Sequence, residues 1–319
     1  MKILSIIREG LNDPQDAIVN PNTSSLISFK NLCVVNFANS IHKQSKSTHP
    51  PSIVTLEDFV GQPIDKSLRF LRLFDYIVVF SKRYPGFISS YFDSIPNKVI
   101  FLESPYIFRE PLLYPRDQEF IRVMPWVVEN YIQDLSTGLT RQGISFRPKA
   151  QVANRNKVIL LIIQTVGDIS ISPTNPYEWA LSILENLNTD YPGWEVIIKD
   201  HPLQDANYKG LTPEKLSIYS KLRISFFTGQ LIEEALDLAS ITITFSSGVV
   251  VDSLLRGVPV ITMDPRSPGY EITPHSLDKL DDLRLPKLDD FLSALSNSHF
   301  KHNELYNGTA WKTVKPFLK

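Results

Sequence analysis

The feature that most constrains this chain is the run Lys157–Ile163 (KVILLII) and the rhythm of strands and helices after it. A continuous apolar, β-branched run bounded by polar residues is the pattern of a strand buried on both faces of a parallel sheet. After it come a polar loop, a helical stretch from Pro176 to near Asp190, and a second run, Trp194–Lys199, ending in Asp200-His201-Pro202. Pro176 suits the first turn of a helix, where its missing N–H costs nothing. Leu222–Phe227 reads as a third strand, 231–239 as a helix, and Ile241–Phe245 as a fourth strand ending at Ser246-Ser247-Gly248. A helix then runs to Arg256, Gly257 stops it, and Val258–Met263 is the next strand. Such alternation predicts a doubly wound α/β lobe. In such lobes ligands sit outside the carboxyl ends of the strands.

The first half alternates less regularly. Strands are predicted at Lys2–Ile7, Leu32–Phe37, Tyr76–Phe80 and Lys98–Leu102, and helices over 66–74 and 84–93. Residues 10–30 and 40–65, rich in Asn, Ser and Pro, read as loops. Residues 134–156 lack periodicity and read as a linker, and 287–312 read as helical. The predicted organisation is a Rossmann-like lobe over 1–150, a second over 151–300, and a segment 301–319 that packs back across both.

Composition sets the outer limits. With 319 residues, 43% hydrophobic and 21% charged, the chain has a globular composition. The single cysteine, Cys33, leaves no intrachain disulfide framework and reads as a core residue. The Met1–Glu9 segment carries too short an apolar run for a secretory signal, and no stretch reaches the length of a membrane span, so the expectation is a cytoplasmic protein without membrane insertion. Net charge is −1 overall. Residues 1–150 hold 17 Lys+Arg against 14 Asp+Glu, leaving the first half mildly basic. That tilt suits an anionic partner as well as it suits ordinary surface variation.

Three strand ends in the second half can carry chemistry. Ser246-Ser247-Gly248 places two hydroxyls and a glycine where a helix begins. Free N–H groups and the positive end of the helix dipole suit a phosphate there, although plain N-capping accounts for the serines equally well. Asp252, one turn along, can hold ribose hydroxyls or be a solvated charge. Lys199 and His201 arrive together at another strand end, a point charge for phosphate and an imidazole able to donate or exchange a proton. Gln164-Thr165-Val166-Gly167-Asp168 comes directly after the first strand of the lobe. Its Asp168 can act as base, nucleophile or stabiliser of a positively charged centre, or simply cap a turn. In the first half, Glu103, Tyr106 and Arg109 come after a strand, with Arg116, Arg122 and several aromatics beyond them. The mixture suits stacking on sugars or bases, and equally a buried surface. The chain has no GxxxxGK[ST], no GxGxxG after a strand, no HExxH and no GxSxG. The histidines show no zinc spacing, no metal is expected, and His299 and His302 read as surface residues.

The ordered set Gln164, Asp168, Lys199-x-His201-Pro202, Ser246-Ser247-Gly248 and Asp252-Ser253-Leu254-Leu255-Arg256-Gly257-Val258-Pro259 resembles the capsule polysaccharide transferase superfamily, which includes bacterial Kdo transferases. The resemblance covers about 157–275. It implies a GT-B fold, two Rossmann-like lobes with a cleft between them, and sugar transfer without a metal or other cofactor. It further implies that Lys199, His201 and the serines bind the donor's phosphates and that Asp252 holds its ribose. This chain has Asp200 where the family commonly has proline, and Asp252 where it has glutamate. A looser resemblance, carried by Glu103, Tyr106, Arg109, Asp264-Pro265-Arg266-Ser267 and the Asn307 to Trp311 ending, is to phage-encoded members. It implies transfer to 5-hydroxymethylpyrimidines of phage DNA in the host cytoplasm. The expected function is therefore glycosyl transfer from a nucleotide sugar, a UDP-sugar first. Asp168 and His201 would be catalytic, Gln164, Lys199, Ser246, Ser247, Gly248 and Asp252 would bind the donor, and Glu103, Tyr106 and Arg109 would face the acceptor. Capsule glycan transfer, a nucleotide-sugar epimerase and a non-catalytic nucleotide-sugar-binding module are the alternatives.

Overall fold

A computed structural model describes residues 1–7, 17–19, 26–59, 62–81, 86–107, 119–126, 131–141, 157–167, 171, 173–201, 210–229, 231–278 and 280–318. Along the chain the elements are β1 (Ile3–Ile7), β2 (Ala17–Val19), β3 (Leu26–Ser28), α1 (Phe29–Gln44), β4 (Ser52–Thr55), α2 (Ile64–Leu71), β5 (Tyr76–Phe80), α3 (Gly86–Ser94), β6 (Val99–Glu103), β7 (Phe120–Pro125) and α4 (Tyr131–Leu135). Next come β8 (Val158–Ile162), α5 (Pro176–Asp190), β9 (Glu195–Lys199), α6 (Pro213–Leu216), β10 (Arg223–Phe226), α7 (Ile232–Leu238), β11 (Ile241–Thr244), α8 (Val249–Leu255) and β12 (Val260–Thr262). The last are α9 (Asp289–Ser298), β13 (His299–Lys301), α10 (His302–Asn307) and α11 (Thr309–Val314).

The chain divides into two compact units, residues 1–141 with 292–319, and residues 142–291. Both are Rossmann-like α/β units, the fold class expected from the sequence. The divisions differ from those expected after 150 and 300: the final segment joins the first unit from Leu292 onward.

The second unit matches its sequence pattern closely. Its sheet runs β10-β9-β8-β11-β12, with every pairing parallel. The apolar run of β8 is shared between two cores. Ile159, Leu161 and Ile163 pack with Tyr177, Trp179, Ile183 and Leu184 of α5, whereas Val158, Leu160 and Ile162 pack with Ala235, Leu236 and Ala239 beside α7. That two-sided burial is why the sequence reads as an uninterrupted apolar run. Asn175 caps α5, its Oδ1 accepting from the Tyr177 N–H at 2.9 Å, and Pro176 occupies the first turn.

The first unit has a sheet of order β13-β7-β6-β5-β1-β4. The four strands β4, β1, β5 and β6 are parallel, while β7 runs antiparallel to β6 and β13 antiparallel to β7. Here the fold departs from expectation in several places, one being the expected loop 10–30, which holds β2, β3 and the start of α1. Residues 32–37, expected as a strand, lie in the middle of α1, capped by Ser28, whose Oγ accepts from the Asn31 N–H. Leu32, Cys33, Val34, Val35, Phe37, Ala38 and Ile41 are all buried, leaving only a narrow polar stripe at Asn36, Asn39, His42 and Lys43, so the unbroken apolar run 32–35 masks the helical period. The expected loop 40–65 holds the end of α1, all of β4 and the start of α2. The helical reading of 287–312 is broken by β13, and His299, expected at the surface, is fully buried, while His302 is half-buried against Phe29.

Residues 131–141 are tied to the returning segment by an array centred on Arg141. Its Nε donates to the Ser296 carbonyl at 2.9 Å, and its two terminal nitrogens reach Glu304 Oε1 and the His299 carbonyl, each at 2.5 Å. Its guanidinium also covers the Phe300 ring. Ser293 Oγ accepts from the Thr137 N–H, and Asn297 donates to the Leu135 carbonyl. Glu304 additionally accepts from the Lys301 N–H at 2.8 Å, satisfying a free backbone donor at the start of α10.

Candidate functional site

In the second unit the chain steps outward from β8 to β9 and β10, then crosses to β11 on the other side of β8 and continues to β12. The order reverses between β8 and β11, and a crevice at their carboxyl ends is the place where an open α/β sheet takes a ligand. The two polar loops singled out in the sequence, at Gln164 and at Ser246, leave the sheet at this switch point.

They are hydrogen-bonded to each other. Oε1 of Gln164 accepts from the Ser246 backbone N–H at 2.9 Å, and the Ser246 hydroxyl lies within hydrogen-bond distance of both atoms of the Gln164 amide head, 3.1 Å from Nε2 and 3.3 Å from Oε1. Both residues are buried. The register of β8 with β11 (Ile162 opposite Thr244) brings residues 82 positions apart side by side. The Gln164 amide therefore does what a ligand oxygen could do at this turn, and the N–H of Ser246, the second residue after β11, is already committed. The next groups are held more loosely. The Ser247 N–H donates to Thr244 Oγ1 at 3.4 Å, and Ser247 Oγ accepts from the Val249 N–H at 3.3 Å. Gly248 stands at the N-cap of α8 without a side chain to close the helix end. Both sequence readings of the serines thus have a structural counterpart, with Ser247 acting as a weak cap beside an open helix start. Asp252 is half-buried in the first turn of α8, where a carboxylate is stabilised by the helix dipole.

At the end of β9, Lys199 is buried. Its Nζ donates to the Gly229 carbonyl at 3.1 Å and lies 5.0 Å from the centre of the Phe227 ring. Burial pushes its ammonium below the usual lysine range, against the pull of Asp200 and Glu234. One of its three donors is therefore spent on fastening the loop after β10. Burial pushes the neighbouring Asp200 carboxyl up, with the Tyr177 hydroxyl (3.2 Å to Oδ1) and Lys199 opposing. His201 is half-buried at the end of the same strand. Val166 and Gly167 form a turn, with Gly167 at φ +81, a conformation that glycine adopts without strain. Asp168, the expected catalytic carboxylate, and Arg109, an expected acceptor-side residue, lie outside the described residues.

After β12 the structure shows a pairing within Asp264-Pro265-Arg266. Asp264 is anchored by its N–H to the Phe245 carbonyl at 3.1 Å, immediately before the serine loop. Its carboxylate accepts from Arg266 at Nε (2.7 Å), Nη2 (2.8 Å) and the backbone N–H (2.9 Å). Burial works against the charged carboxylate, but the Arg266 bonds prevail and hold Asp264 below its ordinary range. The Asp-Pro-Arg spacing was the available signal, since a carboxylate and a guanidinium two residues apart across a turn can pair.

In the first unit Glu103 ends β6, and Tyr106 comes shortly after it. The Arg122 guanidinium lies 3.7 Å from the centre of the Tyr106 ring, and the Tyr106 N–H donates to His299 Nε2 at 2.8 Å. His299 Nδ1 is 2.8 Å from the Leu295 carbonyl, so the ring is the neutral tautomer with its proton on Nδ1. Glu103 lies opposite Arg122 in the β6–β7 register. Arg122 and His299 were not among the expected site residues, because the first only trailed the motif and the second lies far away in sequence.

Among the described residues no group of three His, Cys, Asp or Glu side chains could hold a metal, and no helix is long and apolar enough to cross a membrane. No family model matches the sequence, and no curated protein does. Solved structures with a similar chain course include the β-Kdo 2,4-transferase KpsC of Thermosulfurimonas dismutans, at 14% identity over 82% of this chain and 87% of that one, with a TM-score of 0.48. The β-Kdo 2,7-transferase KpsC of the same organism is similar at 14% identity over 86% and 95%, TM-score 0.44. The UDP-GlcNAc 2-epimerase of Methanocaldococcus jannaschii, solved with UDP-GlcNAc and UDP, is similar at 13% identity over 100% and 98%, TM-score 0.30. At these identities and TM-scores the likeness assigns no activity and no residue role to this chain.

Proposed function

We propose that this chain is a GT-B glycosyltransferase whose second unit binds a nucleotide sugar at the switch point between β8 and β11. The observation that carries the reading is the Gln164–Ser246 bridge. It joins the two strand ends where an α/β sheet accepts a ligand, directly before a helix start lacking a side-chain cap. The donor's phosphates sit over Ser247 and Gly248, with His201 and the Lys199 charge stabilising the charge that develops on the leaving diphosphate. Asp252 holds the ribose. In transfer, the acceptor oxygen bonds to the anomeric carbon as the bond from that carbon to the phosphate oxygen breaks. The diphosphate keeps the electron pair, and Asp168 takes the acceptor's proton. Glu103, Tyr106 and Arg109 belong to the acceptor side, and the acceptor we favour is a 5-hydroxymethylpyrimidine in DNA, which must leave the base stack to be reached.

The test is incubation with UDP-, GDP- and CMP-sugars together with hydroxymethylated DNA or a capsule-type oligosaccharide, read by mass spectrometry. A hexose-sized mass gain on the nucleoside supports the full reading, whereas a gain on the oligosaccharide alone moves the acceptor to a glycan. Turnover without any acceptor would indicate an epimerase, and binding without turnover a non-catalytic module. Asp168→Ala is expected to abolish transfer while leaving nucleotide binding within about twofold.

A further inference from the structure

We propose that Tyr177 and Asp200 form a brace that positions His201, a role that rests on the nucleotide-binding reading of the second unit. Side chains alternate across β9. Ile198 packs in the core under α5, whereas Ile197 packs in the core beside α7. Lys199 continues the α7 side, reaching Phe227 and Gly229. Asp200 continues the α5 side, and its Oδ1 accepts from the Tyr177 hydroxyl at 3.2 Å. The last two residues before His201 are thus fastened to opposite faces of the sheet. That fixes the direction in which the backbone delivers the imidazole to the carboxyl edge.

Tyr177 is itself held at both ends of its side chain. It stands in the first turn of α5, over the Asn175 cap, with its ring buried. Gly210, the first described residue after His201, lies against that ring so closely that a Cβ there would sit 2.2 Å from Tyr177 Cγ. The Gly210 carbonyl accepts from Lys215 Nζ at 2.9 Å. One aromatic side chain therefore meets the segment carrying His201 where it leaves β9 and again where it returns at Gly210. The Tyr177–Asp200 hydrogen bond stiffens that approach and includes a titratable group. Among the described residues, the ionisable groups acting on that carboxylate are Tyr177 from α5 and Lys199 beside it in sequence, with Glu234 of α7 acting on Lys199.

The experiment reads His201 directly by NMR of histidine-labelled full-length protein, its signal assigned with His201→Gln, between about pH 5 and 8. UDP affinity is measured in parallel by calorimetry. Tyr177→Phe and Asp200→Ala are expected to shift and broaden the His201 signal and to weaken UDP about two- to tenfold, the scale of one lost hydrogen bond. Asp200→Asn keeps an acceptor for the phenol but removes the charge. It should restore the signal and the affinity to within about twofold, because the hydrogen bond to the phenol survives. An unmoved His201 signal in Tyr177→Phe overturns the proposal, and so does a lower melting temperature without any change at His201, which would make the contact plain packing. If the wild-type protein binds no nucleotide, the functional reading fails by itself, while the His201 signal still decides whether the brace exists.

Discussion

The two units use the same layered construction but spend their polar side chains in different places. In the second unit the polar bonds cluster at the carboxyl edge of an all-parallel sheet: Gln164 with Ser246, Lys199 with Gly229, Asp200 with Tyr177, and Asp264 with Arg266. In the first unit the densest array lies beside α9 and β13, where Arg141 gathers Ser296, His299 and Glu304. A sheet with buried faces leaves strand ends as the natural place for polar chemistry, and organising them before a ligand arrives is what a binding site requires. The Arg141 array holds chain segments together. On the proposed reading, the polar bonds serve a site in the second unit, whereas in the first they serve cohesion.

That contrast can be broken experimentally. The largest effect is expected from Arg141→Ala, which strips a nearly buried guanidinium from Glu304 and two carbonyls and should cost the first unit about 3 kcal/mol. Urea unfolding checks this, and UDP affinity should stay unchanged; a matching loss of affinity would erase the division of roles. Next, Gln164→Ala orphans the buried N–H and hydroxyl of Ser246, costs about 1–3 kcal/mol and loosens the serine loop, so nucleotide binding should fall with stability. Gln164→Glu retains an acceptor for the Ser246 N–H but places a negative charge under the phosphates. Its affinity loss should exceed its stability loss, and equal losses would argue against an anion there. Arg266→Ala removes a half-exposed pair and should cost at most about 1 kcal/mol, diminishing with added salt in a melting series. The smallest effect carries a sign. Burial raises the Asp200 carboxyl, so its favourable contribution is present below its unfolded pKa and is lost as pH rises through the folded value. Asp200→Asn should therefore gain slightly in melting temperature relative to wild type at neutral pH, and lose that advantage in acid.

Legibility in the sequence tracked burial geometry. The second unit could be read almost element by element, because most of its strands are apolar or β-branched runs buried in a parallel sheet and followed by polar loops. In the first unit, α1 was hidden because four consecutive residues, Leu32–Val35, are buried, so Leu32–Phe37 shows the composition of a strand. β4 was hidden for the opposite reason. It is a half-exposed edge strand directly after Pro50-Pro51, and its composition is that of a loop. At the candidate site, strand-end position singled out Gln164, Lys199, His201 and the serines for attention. Their partners stayed invisible, because Tyr177, Gly229 and the 82-residue span from Gln164 to Ser246 become neighbours only through topology. Arg122 and His299 are the same case in the first unit.

The division of the chain at 141 and 291 also fixes an order of manufacture. On a ribosome that extends the chain from its amino end, the second unit is complete while the first still lacks β13 and the helices after it. Until His299–Lys301 emerge, β7 is an unpaired edge with the sequence FIRVMP, every residue of which is buried in the finished protein. The unit that is begun first is thus the last to close, and its nascent form carries a sticky strand for the whole time that the second unit is being made.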